Sequence, residues 1–145
     1  MYAKSAKGWL INHGYDVEDA VLSVFTFDNG VIYSQENTWS LPEAYPAYIG
    51  AQFLIVGTKG SLEIDMRDSG FKIYTDTQTE YPDLYYWPYL GKERAGALKF
   101  ELEDFISCIR EDRNPRVSIE DGYRATQAAE AVLKSLACGC EADVV

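Results

Sequence analysis

Histidine is almost missing from this chain, and its few cysteines stand in the wrong pattern for a metal. The one histidine is His13, and the three cysteines are Cys108, Cys138 and Cys140. No Cys-x-x-Cys pair occurs. Cys138-Gly139-Cys140 has neither a histidine nor a second cysteine pair beside it, which argues against a zinc site. We expect free thiols and a reducing, cytoplasmic setting, with redox or metal use of the C-terminal pair as the lesser alternative. Long apolar runs are missing too: none approaches the roughly 20 residues that span a bilayer. The N-terminus lacks the basic and apolar segments of a secretion signal. Positive charge is scarce, with 13 Lys and Arg against 23 Asp and Glu and a net charge of −10. That field repels a nucleic-acid backbone or an anionic membrane, so neither is expected as a partner. The acidic pairs Glu18-Asp19 and Glu103-Asp104 are adjacent in sequence, so they cannot share a face of a strand or helix for acid–base work.

What is present is a globular composition of one domain's length, taken as a single domain over residues 1–145. The first two thirds read as strands. Tyr2–Lys7 forms a first strand, whose abrupt start leads us to expect sequence before it. Asp19–Phe27 and Val31–Trp39 flank Asp28-Asn29-Gly30, and Asn-Gly is a strong hairpin signal because both residues tolerate left-handed angles. A second hairpin joins Phe53–Val56 to Ser61–Asp65 through Gly57-Thr58-Lys59-Gly60, with φ > 0 expected at the glycines. That string is no phosphate loop, since Lys59 precedes the second glycine and strand sequence follows. Phe71–Tyr74 is a further strand.

Within Asp19–Phe27, Ala20, Leu22 and Val24 point one way while Val21, Phe25 and Phe27 point the other. A sheet with one wet face alternates more cleanly. Both faces should therefore be covered, one by helices of this chain and the other by another chain or domain. Two helices follow. Leu98, Leu102, Phe105, Ile106 and Ile109 form an apolar stripe that ends near Asn114-Pro115. Ser118, an N-cap with Asp121 placed for a capping box, opens the second, and Gly139 ends it. Between the last strand and the first helix lies an aromatic stretch, Thr75–Gly96, without clear secondary structure. A loop of this length is functional or disordered, and its aromatic density favours packing on a pocket, a partner or a sheet edge.

Val17-Glu-Asp-Ala-Val-Leu, Phe27-Asp-Asn-Gly30, Phe53-Leu-Ile-Val-Gly-Thr-Lys-Gly-Ser-Leu62, Leu102-Glu-Asp-Phe-Ile-Ser-Cys-Ile and Ser118–Ser135, in this order, resemble the C-terminal domain of the Gfo/Idh/MocA oxidoreductases. These are glucose–fructose oxidoreductase, inositol dehydrogenase and their relatives. The resemblance implies an α+β fold like the C-terminal domain of glyceraldehyde-3-phosphate dehydrogenase: a mostly antiparallel open sheet with two C-terminal helices on one face. It implies an N-terminal Rossmann domain holding NAD or NADP in the full-length protein, homo-oligomerisation through the sheet face, and a sugar or polyol substrate.

Several family features are missing. There is no Gly-x-Gly-x-x-Gly strand–turn–helix to hold a pyrophosphate, no Glu-Lys-Pro and no Asp-x-x-x-His; Trp9, not Asp, stands four residues before His13. His13 reads as an exposed loop residue. The chain alone is expected to bind no cofactor and to be catalytically silent, with no catalytic or metal-binding residue assigned. Sugar contacts combine an aromatic face with convergent polar groups, which makes Trp39, Tyr85, Tyr86 and Trp87 the substrate-binding candidates. For Trp39, covering a sheet edge serves equally well, and for the cluster, packing on a neighbouring subunit competes. A stand-alone module that self-associates through its sheet and binds carbohydrate is the alternative.

Overall fold

A computed structural model describes residues 1–45, 49–67 and 69–145. In chain order the elements are β1 (Tyr2–Ala6), α1 (Trp9–Asn12), β2 (Ala20–Thr26), β3 (Ile32–Thr38), β4 (Gln52–Gly57), β5 (Gly60–Asp65), β6 (Ile73–Tyr74), β7 (Thr79–Glu80), β8 (Tyr89–Leu90), β9 (Glu93–Arg94), α2 (Ala97–Glu111) and α3 (Ile119–Cys138). The fold is α+β, with every strand pairing antiparallel and the two long helices C-terminal. The chain groups into two compact units, Met1–Pro42 with Arg116–Val145, and Glu43–Pro115.

The first unit holds the three-stranded sheet, in the order β1-β2-β3. Its central hairpin turns through three residues. Gly30 takes φ +82°, Gly30 N–H donates to Phe27 O, and Asn29 Oδ1 accepts from Val31 N–H. Only the glycine needs the left-handed region here, as in a type I turn closed by a bulge. Register places Val21 opposite Asn37, Ser23 opposite Gln35 and Phe25 opposite Tyr33, so these residues share one face. On that face Ser23 and Phe25 are buried, whereas Leu22 and Val24 on the other face are exposed.

Helix α3 packs on β1. Its start is fixed as its sequence demands: Ser118 Oγ accepts from Asp121 N–H, while the Asp121 carboxylate accepts from Ser118 N–H and from its hydroxyl. These bonds to Ser118 hold the Asp121 carboxyl below its ordinary pKa. At the other end Gly139 caps the helix at φ +67°. Ala131 and Ser135, both buried, let the helix come close to the buried Ala3. Ala3 N–H then donates to Ser135 Oγ at 3.0 Å, and the same hydroxyl donates to Cys140 O. A larger residue at either helix position would hold the layers apart.

Cys138 and Cys140 are not free thiols, contrary to expectation: their sulfurs are joined. The left-handed turn at Gly139 folds the chain back and brings the two Cα atoms to 5.2 Å, within bridging range. Cys108 is a free, buried thiol.

In the second unit β4 and β5 pair from Gln52–Asp65 to Gly57–Gly60. The glycines do not take the expected positive φ. They end the strands as a cross-strand pair, and Thr58 and Lys59 alone make the turn. Helix α2 ends at Glu111, earlier than the proline predicts. Asp112 caps it in the left-handed region, and Arg113 folds back to pair with Asp104 and Glu111. Those carboxylates raise the pKa of Arg113. The expected strand Phe71–Tyr74 is the two-residue β6, and the aromatic stretch is not structureless: it carries β7, which pairs with β6, and the pair β8–β9. Among the described residues of this unit, only Cys108 is buried.

Candidate functional site

A cavity of about 920 Å³ lies in the first unit between the Val21–Ser23–Phe25 face of the sheet and the middle of α3. That volume falls in the range of small-molecule sites. It exists because α3 presents Ala125, Ala128 and Ala129 there, side chains too short to fill the gap to the sheet. Val21, Phe25, Val132 and Leu133 make its lining largely apolar, while Gln35 and Asn37 of β3 add amide groups. The two amides face the same side at adjacent positions of one strand face, and Gln35 Nε2 lies 3.4 Å from Asn37 Oδ1. Each therefore keeps donors and acceptors for a polar guest.

Trp39 stands at the rim of this cavity with its side chain largely in water, at 84 % exposure. Asp19 sets its backbone: Trp39 N–H donates to Asp19 O at 2.9 Å. The Asp19 carboxylate is spent on α1, accepting from Trp9 and Leu10 N–H at 2.7 Å each. One buried residue thus ties Trp39, Leu10 and the start of β2 into a common rim. The sequence pattern marks Asp19 only as a strand start, and the four-residue helix it caps has no periodic signal of its own. His13, the one histidine of the chain, is exposed. Its Nδ1–H donates to Trp9 O at 2.7 Å and its ring stacks on that of Trp9, so it is a helix-end residue.

Tyr85, Tyr86 and Trp87 are brought together in the second unit. Asp83 does this by accepting from the backbone N–H groups of all three, at 2.8–2.9 Å. Burial would raise the Asp83 carboxyl's pKa, but the donors from Tyr86, Trp87 and Tyr85 outweigh it and hold it below the usual range. Arg94 lies over the rings of Trp87 and Tyr89 and donates to Trp87 O, a cation–π arrangement that fixes the guanidinium. Tyr85 and Tyr86 line a cleft of about 40 Å³, space on the order of a single water. Asp83 and Arg94 carry this arrangement, and sequence reasoning passed over both. An Asp two to four residues before consecutive aromatic residues was the available signal.

A dinucleotide pyrophosphate is held by free backbone N–H groups at the positive end of a helix. The N-terminus of α3 carries Glu120 and the capping carboxylate of Asp121, which repel a pyrophosphate. At α2, the N–H groups of Ala97 and Leu98 donate to Tyr85 O and Tyr86 O. Neither long helix offers the free donors and positive end that a nicotinamide dinucleotide needs, so these residues do not fit the group.

A family model described as oxidoreductase family, C-terminal alpha/beta domain, matches residues 4–141. The searches of curated proteins and of solved structures each gave no match. Among the described residues, no helix is long and apolar enough to cross a membrane.

Proposed function

Because the chain belongs to the Gfo/Idh/MocA oxidoreductase family, as its C-terminal alpha/beta domain, we propose that it is the substrate-binding and oligomerisation domain of an NAD(P)-dependent sugar or polyol oxidoreductase. The chain by itself is catalytically silent in this reading, with the nicotinamide held by a Rossmann domain. The cavity over the β2–β3 face carries the proposal. Its apolar lining suits the C–H face of a ring, Gln35 and Asn37 suit hydroxyl groups, and Trp39 supplies an aromatic rim. What this chain contributes is orientation and exclusion of water around the substrate. Tyr85, Tyr86 and Trp87 form a second aromatic surface, suited to substrate or to a neighbouring copy.

Titrating the chain with myo-inositol, xylitol and glucose while following tryptophan fluorescence tests this. Saturable change with at least one of them, weakened at least about tenfold by Trp39→Ala, is the expected result. No saturable change with any, or saturable binding of NADH, overturns it.

Oligomerisation has its own support. Phe53 faces Ile64 and Ile55 faces Leu62 across the β4–β5 hairpin, and all four are exposed. The same observation favours the alternative of a self-associating, non-catalytic module. Light-scattering mass across a concentration series should give a dimer or larger assembly; a monomer throughout removes the oligomerisation role.

A further inference from the structure

The geometry points to a thiol–disulfide exchange site at Cys138 and Cys140, taking low-molecular-weight thiols as co-reactants and controlling how the C-terminus is fastened to β1. The joined pair makes a poor structural staple. A bridge across one intervening residue restrains the unfolded chain far less than one that closes a long loop. It is also redundant as a helix stop, because Gly139 N–H already donates to Ser135 O at 2.8 Å. Both residues are exposed, whereas the third cysteine, Cys108, is buried at 5 %. Exposed bridges are the ones thiols exchange with. Cys140 N–H lies 3.2 Å from Cys138 Sγ, a donor placed to stabilise Cys138 as a thiolate when the bond opens.

The position gives the exchange a consequence. The carbonyl of Cys140 accepts from Ser135 Oγ–H, and Ser135 Oγ in turn accepts from Ala3 N–H. Two residues on, Ala142 N–H donates to Met1 O at 2.9 Å and the Met1 ammonium donates to Ala142 O at 2.8 Å. β1 is an edge strand of its sheet, so this fastening covers the start of an otherwise open edge. With the bond closed, Cys140 is held over Ser135. With it open, the segment from Cys140 onward is free to leave; Met1 loses its partner Ala142, and Ser135 loses the acceptor that orients its hydroxyl oxygen toward Ala3 N–H.

The step balances with small thiols alone. A thiolate attacks one sulfur, the Cys138–Cys140 bond breaks and a mixed disulfide forms. A second small thiol then displaces the protein sulfur. The protein gains two electrons and two protons as Cys138 and Cys140 thiols, and two small thiols become one disulfide.

Equilibrating the full chain in glutathione buffers from fully oxidised to fully reduced tests the site. Thiols are counted by maleimide mass labelling, and amide exchange is read at Ala3 and Ala142. Expected are two labels gained together on reduction, a third at Cys108 only after denaturation, and exchange at Ala3 and Ala142 faster by about tenfold. In Ser135→Ala the redox-dependent difference should vanish at Ala3 and persist at Ala142. Sulfurs that stay reduced even in oxidised glutathione, or exchange at Ala142 that is equal in both states, overturn the proposal. Because the wild-type arms need no substitution, they decide it even where the variant does not fold.

Discussion

In the unit formed by Met1–Pro42 and Arg116–Val145, helix α3 packs on β1, where Ala3, Ala131 and Ser135 are buried, and Ser23 and Phe25 of the neighbouring β2 are buried as well. In the unit Glu43–Pro115 the strands are at least as apolar, yet Phe53, Ile55, Leu62 and Ile64 all stay exposed. So does the α2 stripe of Leu98, Leu102, Phe105, Ile106 and Ile109. The difference shows that amphipathic periodicity makes an element without supplying its cover. Hydrophobic stabilisation comes from area removed from water, and here the removal is achieved by small residues at a close crossing. The second unit is ordered instead by polar and cationic fasteners, Asp83 and Arg94 above all.

This contrast can be broken at its two pivots. Gly96 sits at φ +91°, and a Cβ there would lie 2.7 Å from Tyr86 O and 2.8 Å from Tyr85 O. Gly96→Ala should cost about 3 kcal/mol, since this region of backbone space is nearly reserved for glycine. Urea unfolding with amide exchange over residues 85–98 would locate the loss in the second unit; a cost below about 0.5 kcal/mol would mean the α2 start is not pinned as described. Ala131→Leu forces a branched side chain into the α3–β1 crossing. About 2 kcal/mol is expected, localised by exchange to β1 and α3.

Smaller effects sharpen the comparison. Asp83→Ala removes the acceptor of three backbone donors and should cost about 1 kcal/mol, seen as faster proteolysis between Tyr81 and Pro88. Acid should mimic it. The folded carboxyl is held below its ordinary pKa, so its stabilisation is present above the unfolded value near 3.9 and is lost as pH falls through the lower folded value. Acid-sensitive proteolysis that persists in Asp83→Ala would assign the effect elsewhere. Ile55→Ser, on the exposed hairpin face, should change the stability of a single chain by less than about 0.5 kcal/mol while lowering the assembly mass. An equal mass in both proteins would show that this face does not associate.

Much of the local structure was legible in the residues. Ser118, Asp121 and Gly139 marked both ends of α3, because a cap is a bond between neighbours a few residues apart. Asn29-Gly30 marked the central hairpin for the same reason. The pattern did not reveal α1, whose four residues are too few for periodicity and which depends on the carboxylate of Asp19, ten residues from Trp9. Nor did it reveal that Asp83 gathers Tyr85, Tyr86 and Trp87, or that Cys138 and Cys140 are joined. At Gly57–Gly60 the sequence encodes the hairpin but not its backbone angles, since paired strand ends and left-handed turns both accept glycine. Of the candidate site, Trp39 was legible as an aromatic at a strand end, whereas its exposure and the cavity beside it were not. That cavity depends on alanines of α3 facing β2 and β3, which no spacing within either segment encodes.

The sequence by itself determined the two long helices, the caps of α3, the two glycine-marked antiparallel hairpins and membership of the oxidoreductase family, for these rest on bonds and patterns confined to short stretches of chain. Tertiary structure alone decided which face of the sheet would be covered and where a cavity would open. It also decided that Ser135 would bridge Ala3 and Cys140, because Ala3 and Ser135 are 132 residues apart and only the packed chain brings them within a hydrogen bond.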